Sequence, residues 1–164
     1  MLGYPGAGKT SIAKIIAKLT GAVHINSDQF RKHMFDNPEH ISETEHEQIY
    51  NMLDYIAEQI LKSGKSVIYD ANLNRYAHRQ EKYDICKKTG AHAKPIWVQT
   101  DVETARKRAT KQAGKKLKHR PFGNMKPKTF ERLTAQLEEP TKSEKATIVN
   151  GDVISEDQIK QAIG

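Results

Sequence analysis

The octapeptide Gly3-Tyr4-Pro5-Gly6-Ala7-Gly8-Lys9-Thr10 constrains this chain more than any other stretch of it. Its glycines tolerate backbone conformations that a Cβ disfavours, so successive N–H groups can converge on one centre. Gly-x-x-x-x-Gly-Lys-Thr is the spacing of a loop that wraps phosphates at the N-terminus of a helix, where the dipole also favours an anion. Lys9 then supplies a point charge to the β and γ phosphates, and the Thr10 hydroxyl is placed to ligate Mg²⁺. The flanks agree with this reading. Met1-Leu2 is an apolar stub before the loop, and Ile12, Ile15, Ile16 and Leu19 keep helical spacing until Gly21 ends it.

A loop of this kind needs a parallel sheet to hold it, and the remaining pattern predicts one. Strand-like runs recur at Ala22 to Ile25, Ser66 to Tyr69, Pro95 to Gln99 and Ala146 to Val149, which with the stub makes five. Helical patterns separate them. Ser42 and Glu45 stand in capping-box spacing before Ile49, Met52, Leu53, Ile56 and Ile60, and a less regular helix is expected from Arg75 to Lys88, closed by Gly90. Strand and helix in alternation imply right-handed crossovers and an α/β fold with a mostly parallel five-stranded sheet flanked by helices. A central strand ordinarily has about four to six residues before the loop, and here there are two; the expectation is that upstream residues are missing, the alternative a sheet that manages with a stub.

Length and composition set the outer bounds. With 164 residues, 37% of them apolar, one domain spanning 1–164 is expected. No apolar run approaches the ~18 residues of a membrane span, and Cys86 is the only cysteine, so the expected setting is reducing and cytoplasmic, without a membrane partner. The seven histidines show no metal-ligand spacing. The net charge of +7 is concentrated: ten cations and no acid lie between Arg106 and Lys128, while the other 17 cations face 20 acids. That segment is either a solvated loop or a surface for polyphosphate or nucleic acid.

Two further motifs bear on the fate of the phosphate. Ser66-Val67-Ile68-Tyr69-Asp70 is a buried strand ending in an acid, a position suited to a carboxylate on the magnesium side. Its neighbour is Ala71, whereas a motor ATPase carries a water-polarising Glu there, so the attacking group is expected to come with a substrate. In Ile25-Asn26-Ser27-Asp28-Gln29-Phe30-Arg31-Lys32, Asp28 follows a strand edge where an acceptor hydroxyl can approach, as a general base. Arg31, one helical turn on, can hold an anionic group of the acceptor. The alternative is that Ser27 or Asp28 caps a helix and Arg31 is solvated.

In this order and spacing, "GYPGAGKT", "INSDQFRK" and "VIYDANLN" resemble the 5′-kinase domain of polynucleotide kinases and the related zeta-toxin-like kinases. "MKPKTFERLTAQLEEP", Met125 to Pro140, is similar to the helix these kinases place before their last strand, so the likeness covers nearly the whole chain. The resemblance implies ATP as donor, with Gly3, Tyr4, Pro5, Gly6, Ala7, Gly8, Lys9 and Thr10 around its phosphates and Mg²⁺ on Thr10 and Asp70. It implies Lys9, Asp28, Arg31 and Arg108 as catalytic residues. It also implies an arginine-bearing lid, about residues 102–128, in which Arg106 and Arg108 are offered by the helix opening at Asp101. The position four after Arg108 is Gln112 rather than arginine, and Arg120 is the candidate to replace it. The function implied is transfer of the γ-phosphate of ATP to a hydroxyl, foremost a nucleic acid or nucleotide 5′-OH. Small-molecule kinases of nucleosides, sugars or sugar nucleotides, and an ATP-binding switch without transfer, remain alternatives.

Overall fold

The computed structural model describes residues 1–38, 40–110 and 124–164. Helix α1, Lys9–Thr20, leaves the glycine-rich loop and stops at Gly21, whose φ of 71° lets its N–H bond back to the Ala17 carbonyl. Strand β1, Val23–Asn26, leads into α2, Ser27–Met34. Helix α3, Glu43–Lys62, opens on the predicted capping box: Ser42 accepts from the Glu45 N–H, and the Glu45 carboxylate accepts from the Ser42 N–H. Strand β2, Val67–Asp70, and helix α4, Tyr76–Thr89, follow. Then come β3, Ile96–Gln99, α5, Val102–Thr110, and α6, Pro127–Ala135, with proline in its first turn. A 3₁₀ turn at Lys142–Glu144, strand β4, Thr147–Asn150, and helix α7, Glu156–Ile163, complete the order.

The four strands form two parallel pairs. Strand β1 lies beside β2 with Val23 opposite Val67 and Asn26 opposite Asp70, and β3 lies beside β4 with Ile96 opposite Thr147 and Gln99 opposite Asn150. The fifth expected strand is reduced to a bridge. Leu2 pairs with Trp97, donating to the Ile96 carbonyl and accepting from the Val98 N–H, both at 2.9 Å, while the Met1 nitrogen reaches the Tyr69 carbonyl at 3.2 Å. Two residues cannot make a longer ladder, so Met1-Leu2 touches both pairs without counting as a strand.

The core forms where these strands meet α1 and α7. Met1, Ala7, Ile12, Ala13, Ile16, Ile68, Ile96, Val98, Val149 and Ile159 are buried together. The apolar stripe of α3 is rotated from its expected position. Ile49, Leu53 and Ala57, at i, i+4 and i+8, face inward, while Met52 stays 43% exposed. The irregularity of α4 has a cause too, because its buried positions include Arg79 and Lys82 rather than aliphatic residues. A second, smaller apolar cluster joins Ala105 and Ala109 of α5 to Phe130 of α6. Among the described residues, no helix is long and apolar enough to cross a membrane. The expected lid is described at α5 and from residue 124 onward; Arg120 and Gln112 lie outside the described residues.

Candidate nucleotide and acceptor site

The glycine-rich loop is fixed by close approach of neighbouring backbone. Gly6 has φ 82°, and a Cβ there would overlap the Ala105 carbonyl oxygen and lie 3.1 Å from the Ala109 nitrogen. The small residues of α5 are what let that helix lie against the loop. The Gly3 N–H donates to the Asn74 side-chain oxygen at 2.9 Å, in buried surroundings, and the Thr100 hydroxyl donates to the Ala7 carbonyl at 2.9 Å. Ala7 N–H closes a turn onto the Tyr4 carbonyl, around Pro5. Gly8, with φ 102°, is the N-cap of α1 and offers no side chain, so the first-turn amides have no side-chain cap. Gly151, just after β4, packs so tightly that a Cβ would overlap the Ala7 carbonyl oxygen and the Thr100 hydroxyl.

Lys9 belongs to this cradle. Its ammonium donates to the carbonyls of Gly3 at 2.7 Å and Tyr4 at 2.9 Å. Burial lowers its pKa to about 8, although Asp70 and Asp28 pull the other way. These two carboxylates therefore lie within electrostatic reach of the lysine, from different elements.

Asp70 ends β2 opposite Asn26. Its Oδ2 accepts from Asn26 Nδ2 at 2.6 Å and lies 3.0 Å from His24 Nε2. Burial pushes the carboxyl up, but hydrogen bonds from His24, Asn26 and Thr10 outweigh it and hold the group below its ordinary value. Asp70 is thus held as an anion, with Thr10 among the neighbours that lower it. Asn26 also caps α2, its Oδ1 accepting from the Gln29 N–H at 2.8 Å, so one side chain aims Asp70 and starts the helix that carries Asp28. The alternative in which Ser27 or Asp28 is the cap does not hold.

Asp28 lies in the first turn of α2. Burial raises its pKa, Arg31 lowers it, Asp70 raises it and Lys9 lowers it, with the net displacement upward. Arg31, one turn on, extends its Nη2 to His46 Nδ1 at 3.3 Å. The wall opposite belongs to α3. Tyr50 lies near the Ser27 side chain and the Asn72 backbone, senses both Arg31 and Asp28, and has its ring centroid 5.0 Å from that of His46. The sequence reading missed Asn26, His46, Tyr50, Asn74 and Gly151. The one available signal was in α3, where His46 and Tyr50 stand four apart and interrupt no apolar stripe.

The two arginines expected in a lid diverge. Arg108 donates to the carbonyls of Gly151 at 2.6 Å and Asp152 at 3.0 Å, joining α5 to the turn after β4. Arg106 faces outward to Glu131 at 3.3 Å and Glu103 at 3.9 Å. Among the described residues, no group of three or more His, Cys, Asp or Glu side chains could hold a metal by itself. A divalent cation at Thr10 and Asp70 would need ligands from the phosphates as well, which suits Mg²⁺.

Solved structures share this fold. A sugar kinase from Janibacter sp. HTCC2649 superposes with a TM-score of 0.70 at 18% identity, over 99% of this chain and 89% of that one. The APS kinase CysC of Mycobacterium tuberculosis, solved with AMPPNP and APS, gives 0.66 at 17% identity over 99% of this chain and 92% of that one. The Pnkp1/Rnl/Hen1 RNA repair complex gives 0.66 at 24% identity over 88% of this chain and 43% of that one. No curated protein matches the sequence. The AAA_33 family model, described as an AAA domain, matches residues 1–140, and the chain belongs to that family.

Proposed function

We propose that this chain is a magnesium-dependent kinase that moves the γ-phosphate of ATP to a hydroxyl, foremost the 5′-OH of a nucleic acid or nucleotide. The observation that carries the reading is the meeting of Lys9, Asp28 and Asp70 in one partly buried cluster, each within electrostatic reach of the others. In the reaction Asp28 accepts the proton of the acceptor hydroxyl, whose oxygen attacks the γ-phosphorus as the bond to the β-phosphate oxygen breaks and ADP departs. The loop amides and Lys9 bind the β and γ phosphates. Thr10 and Asp70 would hold Mg²⁺, which supplies charge neutralisation to the phosphates when bound. Arg108 and Arg106 are assigned to the donor side, as the lid. The loop from Gly3 to Thr10, with Tyr4, Pro5 and Ala7 in its turn, is the donor site.

The finer architecture follows the same reading. The two strand pairs are read as parts of one parallel sheet in which Met1-Leu2 stands in the place of the expected fifth strand, supported by the Leu2 bridge on one side and the Met1–Tyr69 bond on the other. Residues 1–164 form one domain, with the basic segment of about 102–128 as its lid. A nucleic acid acceptor is supported by Arg31 beside Asp28, by the ten cations of that segment, and by the likeness to the RNA repair complex.

The test is transfer of label from ATP to a panel of 5′-hydroxyl oligonucleotides, nucleosides and sugars. Oligonucleotides are expected to be labelled, with acceptor affinity falling steeply as salt rises. Lys9→Ala is expected to lose donor binding and transfer together. Label on sugars alone, or acceptor binding indifferent to salt, would remove the nucleic acid reading; binding of ATP with no labelled acceptor would leave a nucleotide-operated switch.

A further inference from the structure

The function proposed above gives Arg31 an acceptor anion to hold, but a guanidinium on a long stem needs something to aim it. One neighbour that can do so is His46. Its Nδ1 lies 3.3 Å from Arg31 Nη2, and a guanidinium nitrogen can only donate. The contact is therefore a hydrogen bond when the imidazole is neutral with its proton on Nε2, leaving Nδ1 to accept. Burial and the Arg31 charge, with a smaller contribution from His78, displace His46 toward that neutral form.

The ring is itself braced. His46 belongs to the second turn of α3, directly after the capping box of Ser42 and Glu45 that fixes the start of the helix. Tyr50, four residues on, packs against it with the two rings inclined at 57°. Tyr50 in turn lies near the Ser27 side chain, beside Asp28 on α2, and near the backbone of Asn72, two residues beyond Asp70. A line of contacts thus joins the segment that carries the metal-side acid and the helix that carries the base to the imidazole that meets Arg31.

We propose that His46 is a positioning residue: it directs the Arg31 guanidinium toward the acceptor phosphate which the function proposed above already gives that arginine to hold. This rests on the phosphotransfer reading. An acceptor without that phosphate gains nothing from the aimed arginine. A guanidinium fork matches phosphate oxygens only from a restricted set of directions, which is why the hydrogen bond from outside the fork affects selection.

Adenosine 3′-monophosphate, a 5′-alcohol with a neighbouring phosphate, is the probe, with adenosine as its phosphate-free control. His46→Ala is expected to raise KM for adenosine 3′-monophosphate about tenfold, the size of one charge-assisted hydrogen bond, with KM for ATP and kcat little changed. His46→Asn puts an amide oxygen where Nδ1 stood and is expected to restore the lower KM. The adenosine KM should not move in either variant. An unchanged KM in His46→Ala, an equal rise for both acceptors, or an asparagine variant as impaired as the alanine one overturns the proposal. Arg31→Ala separates the two levels. If it raises KM for adenosine 3′-monophosphate and His46→Ala does not, the inference alone fails; if it has no effect, the reading of Arg31 fails and takes the inference with it. A measurement independent of transfer uses ¹⁵N-labelled imidazole spectra of the whole protein. His46 is expected as the Nε2–H tautomer at neutral pH, changing in Arg31→Ala; a proton on Nδ1 in the wild type overturns the proposal.

Discussion

At Asp28 burial and charge oppose each other. Burial raises its carboxyl, Arg31 and Lys9 pull it down, and the balance leaves it above the ordinary aspartate value of about 3.9. In the function proposed here Asp28 is a general base and works when deprotonated, so the acid limb of the transfer rate is expected above that value: activity rises with pH through the displaced pKa and is lost below it. Asp28→Asn should lower transfer by roughly 10² or more while ATP affinity is kept, and its residual rate should lack that limb. Rate against pH for the two proteins checks this, and a surviving limb in the variant assigns the base to another group. The pattern of Asp28 and Arg31 was readable from spacing alone. That Asn26, not Ser27 or Asp28, caps the helix was not, because three consecutive residues all favour that position and only the backbone path chooses among them.

At the scale of elements, the turn after β2 governs the loop. Asn74 is 2% exposed; its side chain accepts from the Gly3 N–H, and its own carbonyl accepts from Glu138 N–H and from Arg79 Nη1, both at 2.9 Å. Asn74→Ala leaves a buried N–H without an acceptor, which costs about 1–3 kcal/mol. Urea denaturation should register that loss, and titration with a non-hydrolysable ATP analogue should show weaker binding, since the first residue of the cradle is no longer held. Wild-type affinity in the variant would mean that the loop keeps its shape from the backbone alone. Nothing in the sequence marks Asn74 apart from Asn72, since the two differ only in where the strand end directs them.

At the scale of the whole molecule, a buried ion pair joins α4 to the segment before β4. Arg79 Nε meets Glu144 Oε1 at 2.6 Å, with side chains 2% and 4% exposed, and Nη2 meets Oε2 at 3.1 Å. The same guanidinium donates to the carbonyls of Leu73, Asn74 and Glu138, so it holds three segments together. Burial works against the Glu144 carboxylate, but Arg79, Tyr83 and the Thr141 N–H lower its pKa to about 2. A carboxyl whose folded value lies below its unfolded one, about 4.3, adds stability that is full above that value and is lost as pH falls toward 2. Glu144→Gln should cost about 3 kcal/mol at neutral pH, because it leaves a buried cation uncompensated, and should flatten stability between about pH 4.3 and 2. Denaturation across that range measures it; an unchanged slope would mean that other carboxylates carry the acid sensitivity.

The chain's local chemistry determined a good deal unaided. Glycines with a lysine and a threonine define the phosphate loop, Ser42 and Glu45 define the start of α3, Gly21 and Gly90 end α1 and α4, and alternating apolar runs define a parallel α/β arrangement. These signals survive because each depends on neighbours a few residues apart. The tertiary structure decided which side chains face one another. Gly6 and Ala105 approach because α5 folds back on the loop, Arg108 turns to the carbonyls after β4, and His46 meets Arg31 because α3 packs on α2. Those contacts span up to about a hundred residues of chain, and the pairing of strands, which local sequence does not encode, brings them within a few ångströms.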